Sequence, residues 1–133
     1  MSYLTILAIG SGGFIGAVLR AYLNGFISHK VAHDLPYGTL GVNLIGSFLM
    51  GILVAYFMYT TFFSLHTKSF LTTGILGALT TYSTFAIESF LLIEGGYILL
   101  ALANISLNAF GSVFMAGSGF YIVKQFILNS PHP

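Results

Sequence analysis

The sequence predicts an all-α membrane protein of four transmembrane helices, the third broken near its middle, working as an antiparallel dimer. Three observations carry that expectation: the scarcity of charge, four charge-free stretches long enough to cross a bilayer, and a hydroxyl-rich cluster inside the third. Of 133 residues 5% are charged and 56% hydrophobic, with a mean hydropathy of +0.94, where soluble domains carry about 25% charged residues. A soluble fold so poor in charge could not cover its surface, so its solvent is lipid. A net charge of +1 from four Lys and Arg leaves no basic cluster for phosphate, which excludes a nucleic-acid partner. The absence of cysteine excludes disulfides and thiolate metal sites.

Residues 1–19, 35–65, 69–87 and 95–123 contain no charged side chain, and a spanning helix needs roughly 20 mostly apolar residues. Helices are therefore expected at about 3–27, 37–60, 69–93 and 97–124, forming one domain over 1–133. The first span lacks a basic leading region and its helical pattern continues past Arg20, which argues against a cleaved signal peptide. Its segment "GSGGFIGAVLR" places Gly12 and Gly16 four residues apart, a spacing that lets helix backbones approach closely in lipid. Arg20, toward the end of this span, either snorkels to the interface or draws anions into a vestibule. The link "SHKVAHDLP" follows.

In the second span Thr39, Asn43 and Ser47 recur every four residues and so share one helical face, while Gly46 and Gly51 suit close packing. A lone Ser or Thr in such a helix bonds back to its own backbone, but an intramembrane Asn cannot satisfy its amide so easily. It either bridges helices or lines a polar path.

After the link "SLHTK" comes the third span, whose centre reads "GALTTYSTFAIES". Gly77 followed by Thr80, Thr81, Ser83 and Thr84 is the composition of a helix interruption at membrane depth. An interruption frees carbonyl oxygens, which must be buried in protein or bound, for instance to a small hard cation. Two such carbonyls per chain become four on an antiparallel two-fold axis. Tyr82 and Phe85 lie on one face. They either pack against neighbours or offer positive ring edges along which an anion could slide while uncharged donors replace its water. Glu88 shares the stripe, as a proton-coupling carboxylate, a vestibule residue, or a hydrogen-bonded group near the helix end.

The link "EGG" leads to the fourth span, where Asn104, Asn108 and Ser112 form a second four-residue stripe beside Gly111, Gly117 and Gly119. The tail "NSPHP" is expected to fray. The four histidines fall in links and tail without metal-like spacing and are expected to face solvent. With the N-terminus in the cytoplasm, Lys68 and Lys124 lie inside and Arg20 and Lys30 outside. The positive-inside rule then has nothing to act on: either another feature sets the topology, or the chain inserts in both orientations and the two pair as an antiparallel dimer.

The segments "GGFIGAVLR" at 12–20, "GTLGVNLIGSF" at 38–48 and "GILGALTTYSTFAIES" at 74–89 resemble the bacterial CrcB family of fluoride channels, also called Fluc, and the likeness spans essentially the whole chain. The resemblance implies a dual-topology antiparallel homodimer in the bacterial plasma (inner) membrane. It implies two fluoride pathways that passively export fluoride trapped in the cytoplasm, lowering its toxicity, and a central structural sodium ion held by the backbone carbonyls of Gly77 and Thr80. The motif places Asn43, Tyr82, Phe85, Ser83 and Thr84 on the pathway. Thr39, Asn108 and Ser112 extend it, with Arg20 and Glu88 at its vestibules. Two positions depart from the family pattern: Tyr82 stands where it usually has Phe, and Asn104 where it often has Tyr, which leaves room for an unlike partner chain.

No phosphate-binding loop, acid pair or activated nucleophile appears, so no enzyme is expected. The main rival, a small proton-coupled multidrug exporter, requires a membrane-embedded acid. The first span has none, Glu88 is near a span end, and there is no Trp. A purely structural subunit would leave both asparagine stripes without a purpose.

Overall fold

The computed structural model describes residues 1–30 and 35–129. Among them, four helical segments are long and apolar enough to cross a membrane: Tyr3–Lys30, Tyr37–Tyr59, Leu65–Glu94 and Ile98–Asn129. The protein is thus an all-helical, multi-pass membrane protein. The observed segments overrun the expected ones at link positions. Ser64 accepts a hydrogen bond from the Thr67 amide as an N-cap, so "LHTK" already forms the first turn of the third span. Ser28–Lys30 and Asn129 are likewise helical. The remainder of the "SHKVAHDLP" link and of the tail falls outside the described residues, except for Leu35 and Pro36. The "EGG" link is a tight turn closed by Gly96 at φ +82°, a left-handed conformation that glycine adopts without steric cost.

The interior of this bundle is more polar than its outside. The largest fully buried side chains are Val42, Asn104 and Thr39, whereas Phe14, Phe110, Phe114 and Phe126 are exposed. Such an inversion is stable only where the surroundings are apolar.

The second span packs mainly against the fourth, and the first mainly against the first half of the third, the two interfaces being of similar extent. Small residues set both crossings. A Cβ on Gly16 would strike the Ile75 carbonyl, and one on Gly12 would lie 2.5 Å from the Phe70 oxygen. Gly51 faces the Ala116 carbonyl and Gly119 the Phe48 carbonyl with no room for a side chain. Gly117 has open space instead, so its packing role is not realised within the chain.

One feature of the third span lay beyond reach of the apolar pattern. Phe70–Leu76 is wound as a π-helix, a form that appears mostly as short insertions, frequently at functional sites. Further on, the helix Gly77–Leu79 stops, Thr80 and Thr81 are extended (φ −79°, ψ 155° and φ −147°, ψ 112°), and helix resumes at Tyr82. The result is a bend in the third span. The Thr80 side chain rests against Gly46 of the second span, where a Cβ would collide with it.

Candidate functional site

Both backbone groups of Thr81, at the bend, are taken up by one side chain. In an uninterrupted helix the Thr81 amide would donate to the Gly77 carbonyl. Here it donates to Asn43 Oδ1 at 2.8 Å, and Asn43 Nδ2 returns a bond to the Thr81 carbonyl at 3.1 Å. This reciprocal pair satisfies an extended residue that has no helical partner, as buried backbone groups require. Thr81 also caps the second half of the third span: its Oγ1 accepts from the Thr84 amide at 3.4 Å and donates to Thr84 Oγ1 at 2.9 Å.

From Asn43 the network enters the fourth span. Asn43 Nδ2 donates to Asn108 Oδ1 at 2.9 Å, and Asn108 Nδ2 donates to both Oδ1 and the backbone oxygen of Asn104, each at 3.0 Å. Asn104 Nδ2 donates to Ser89 Oγ at 2.9 Å, and Ser89 donates to the Phe85 carbonyl at 2.8 Å. Asn43, Asn104, Asn108, Thr81 and Ser89 are all buried. The two donors of each primary amide are thus both engaged at Asn43 and at Asn108.

Beside this network lies an open groove of about 420 Å³, lined by Asn43, Ser47, Thr80, Thr81, Tyr82, Phe85, Asn108 and Ser112 among others. The structure therefore brings together five of the sequence-derived pathway residues: Asn43, Tyr82, Phe85, Asn108 and Ser112. Tyr82 and Phe85 meet edge to face, ring centroids 5.4 Å apart at 69°. Tyr82 is 81% exposed, so the groove opens outward past its ring.

The other candidates sit elsewhere. Ser83 is exposed and Thr84 belongs to the cap; neither lines the groove. Thr39 donates to Glu88 Oε1 at 2.7 Å and accepts from Asn24 Nδ2 at 3.3 Å, joining the first three spans in a separate cluster. The second oxygen of Glu88 is buried without a hydrogen-bond partner among the described residues. Arg20 Nη1 lies 3.5 Å from the Thr80 carbonyl, pointing to the bend rather than away from the protein. Of the link histidines, His66 is half-buried, with Nδ1 3.1 Å from Thr5 Oγ1, which corrects the expectation of free solvent exposure. His33 and His132 lie outside the described residues.

Two participants escaped the sequence reading of the site, Ser89 and Asn24, while Asn104 takes the helix-bridging alternative and does not line the groove. Asn24 falls four residues after Arg20 and Ser89 next to Glu88, which are the local signals that could have marked them. Single back-bonding hydroxyls do occur as expected, at Ser11, Thr72 and Ser118.

Residues 7–120 match the family described as "CrcB-like protein, Camphor Resistance (CrcB)". A relative from Sulfurimonas denitrificans, named fluoride-specific ion channel FluC, is 80% identical over 124 residues, covering 93% of this chain and 96% of the relative. Proteins of the same name from Nautilia profundicola (51% identical; 90% of this chain, 94% of the relative) and Campylobacter lari (44%; 90% and 98%) are similar over nearly their full lengths.

Proposed function

This chain belongs to the CrcB family, and from that membership we propose that it is a fluoride-specific ion channel, not an enzyme, that lets cytoplasmic fluoride leave passively across the bacterial plasma membrane. The observation that carries this reading is the groove in which Asn43, Asn108 and Ser112 face the ring pair Tyr82 and Phe85. It offers uncharged donors and positive ring edges, which can replace the water of a small anion without holding it too tightly to leave.

Asn43 is the central groove residue. Its amide donors are already held by the Thr81 carbonyl and Asn108 Oδ1, so a passing anion takes up an N–H only by displacing one of these oxygens. Phe85, anchored in the second half of the third span, supplies a fixed ring edge, and Tyr82 extends it outward. Ser112 continues the polar lining. Thr84, through the cap, and Ser83 extend the path past the bend. Thr39 and Glu88 form the polar cluster at one vestibule, and Arg20 supplies positive charge near the bend.

The working unit is an antiparallel homodimer with two pathways. Polar groups open to lipid are costly, and the groove, with Tyr82 81% exposed, needs a second protein surface to close it. The even split of Lys68 and Lys124 against Arg20 and Lys30 gives neither orientation an advantage. The whole chain acts as one transmembrane domain whose third span is functionally broken at Thr80–Thr81.

A structural sodium ion fits the bend. The Thr81 amide turns to Asn43, so the Gly77 carbonyl lacks its usual helical donor. Among the described residues the Thr80 carbonyl has only a long contact to Arg20, and neutral carbonyl oxygens are ligands that hard cations accept. Gly77 and Thr80 would hold it, and when bound it supplies a fixed positive charge at the dimer centre.

The test is efflux from liposomes holding purified protein, driven by valinomycin and a potassium gradient. Fast fluoride release with little chloride release is expected. Equal release of both anions, or of neither, overturns the reading.

A further inference from the structure

One run of hydrogen bonds crosses the asparagine network in a single direction, beside the bonds that Asn43 Nδ2 returns to the Thr81 carbonyl and Asn108 Nδ2 gives to the Asn104 backbone oxygen. The Thr81 amide donates to Asn43 Oδ1, Asn43 Nδ2 to Asn108 Oδ1, Asn108 Nδ2 to Asn104 Oδ1, Asn104 Nδ2 to Ser89 Oγ, and Ser89 to the Phe85 carbonyl. At each residue an acceptor faces backward and a donor forward. Turning any one carboxamide over would set oxygen against oxygen on one side and N–H against N–H on the other. Thr81 orients the Asn43 carboxamide, and the engagement of its second N–H is tied through Asn108 to a hydroxyl outside the groove. Ser89 gives its proton to the Phe85 carbonyl and accepts from Asn104. Ser89 holds Asn104, whose Oδ1 takes an N–H of Asn108 beside its own backbone oxygen, and Asn108 Oδ1 in turn takes the N–H of Asn43 that the Thr81 carbonyl leaves. Neither Ser89 nor Asn104 lines the groove, and they are 5% and 1% exposed. Chains of aligned hydrogen bonds also polarise and strengthen one another.

We propose that Asn104 and Ser89 are positioning residues that set the anion selectivity of the groove by locking the carboxamides of Asn108 and Asn43. This rests on the channel reading given above. A donor already held by an amide oxygen yields only to a better acceptor. Fluoride is a stronger hydrogen-bond acceptor than chloride, so a locked Asn43–Asn108 pair opens for fluoride and stays shut to chloride. Releasing the lock leaves the same donors loose, available to weaker acceptors and no longer aimed.

The experiment compares fluoride and chloride efflux from liposomes for the native chain, Ser89→Ala, Asn104→Ala, the double variant and Ser89→Thr, with thermal melting of each in detergent. Ser89→Ala and Asn104→Ala are each expected to lower the fluoride-to-chloride efflux ratio about tenfold, the scale of one lost buried hydrogen bond. The double variant is expected to be no worse than Asn104→Ala, because the links act in series. Ser89→Thr, which keeps the acceptor oxygen, is expected to retain the native ratio. An unchanged ratio in Ser89→Ala, even with reduced flux or a lowered melting temperature, assigns these residues a merely structural role and overturns the proposal. So does a double variant whose losses multiply. Should Asn104→Ala fail to assemble, Ser89→Ala against Ser89→Thr decides alone. A native chain that passes no fluoride removes the channel reading, whereas a selective native chain with unaltered variants removes only this inference.

Discussion

Asn43 Nδ2 donates to Asn108 Oδ1 at 2.9 Å, joining the second and fourth spans at the point where the third span bends. The same carboxamide holds both the amide and the carbonyl of Thr81. One side chain thus ties three spans together and lines the groove.

Asn43→Asp preserves shape but replaces the donor end with an acceptor, which then faces the Thr81 carbonyl and Asn108 Oδ1. Leaving buried groups opposed costs about 1–3 kcal/mol. Fluoride efflux is expected to fall at least tenfold in reconstituted vesicles; a native rate would place the path away from Asn43.

Phe85→Ile keeps an apolar side chain but removes the ring edge that meets Tyr82 at 69°. A loss of about tenfold in fluoride flux is expected, given the roughly 0.5–1.5 kcal/mol associated with such ring geometry. Tyr82→Phe keeps the edge and deletes only an outward hydroxyl, so its flux should stay within about twofold of native. Reversal of these two outcomes would show that the hydroxyl, not the ring edge, matters.

Gly16→Ala drives a methyl group into the Ile75 carbonyl, whereas Gly117→Ala meets nothing within 4 Å. Overpacking against backbone costs about 1–3 kcal/mol, while a helical Gly→Ala change in open space gains roughly 0.5–1 kcal/mol. Thermal melting in detergent should fall for the first and hold or rise for the second. Equal melting of the two would contradict the tight crossing of the first and third spans.

Exchange of sodium for a bulky organic cation throughout purification tests the carbonyl pair of Gly77 and Thr80. A ligand that binds only the folded assembly stabilises it by mass action, so melting temperature should rise with sodium concentration and level off. No dependence on sodium would leave the bend held by Asn43 and Arg20 without an ion.

The sequence alone determined the number of spans, their approximate limits and the two polar stripes, because bilayer thickness and helical periodicity act on residues near one another in the chain. Charge gaps located Tyr37–Tyr59 almost to the residue, and four-residue spacing selected Asn43 and Asn108 before their contact was visible. Local pattern could not show the π-helical turn at Phe70–Leu76, which comes with the close fit of Gly12 and Gly16 against the third span. Nor could it tell which stripe residues face the groove. Asn108 and Ser112 do, while Asn104, on the same stripe, turns to Ser89. Thr39 likewise turns to Glu88. A side chain's period fixes its face on one helix, but its hydrogen-bond partner depends on how helices distant in sequence cross. Only the tertiary structure decided which amide donors are engaged and in which direction the chain from Thr81 to Ser89 runs.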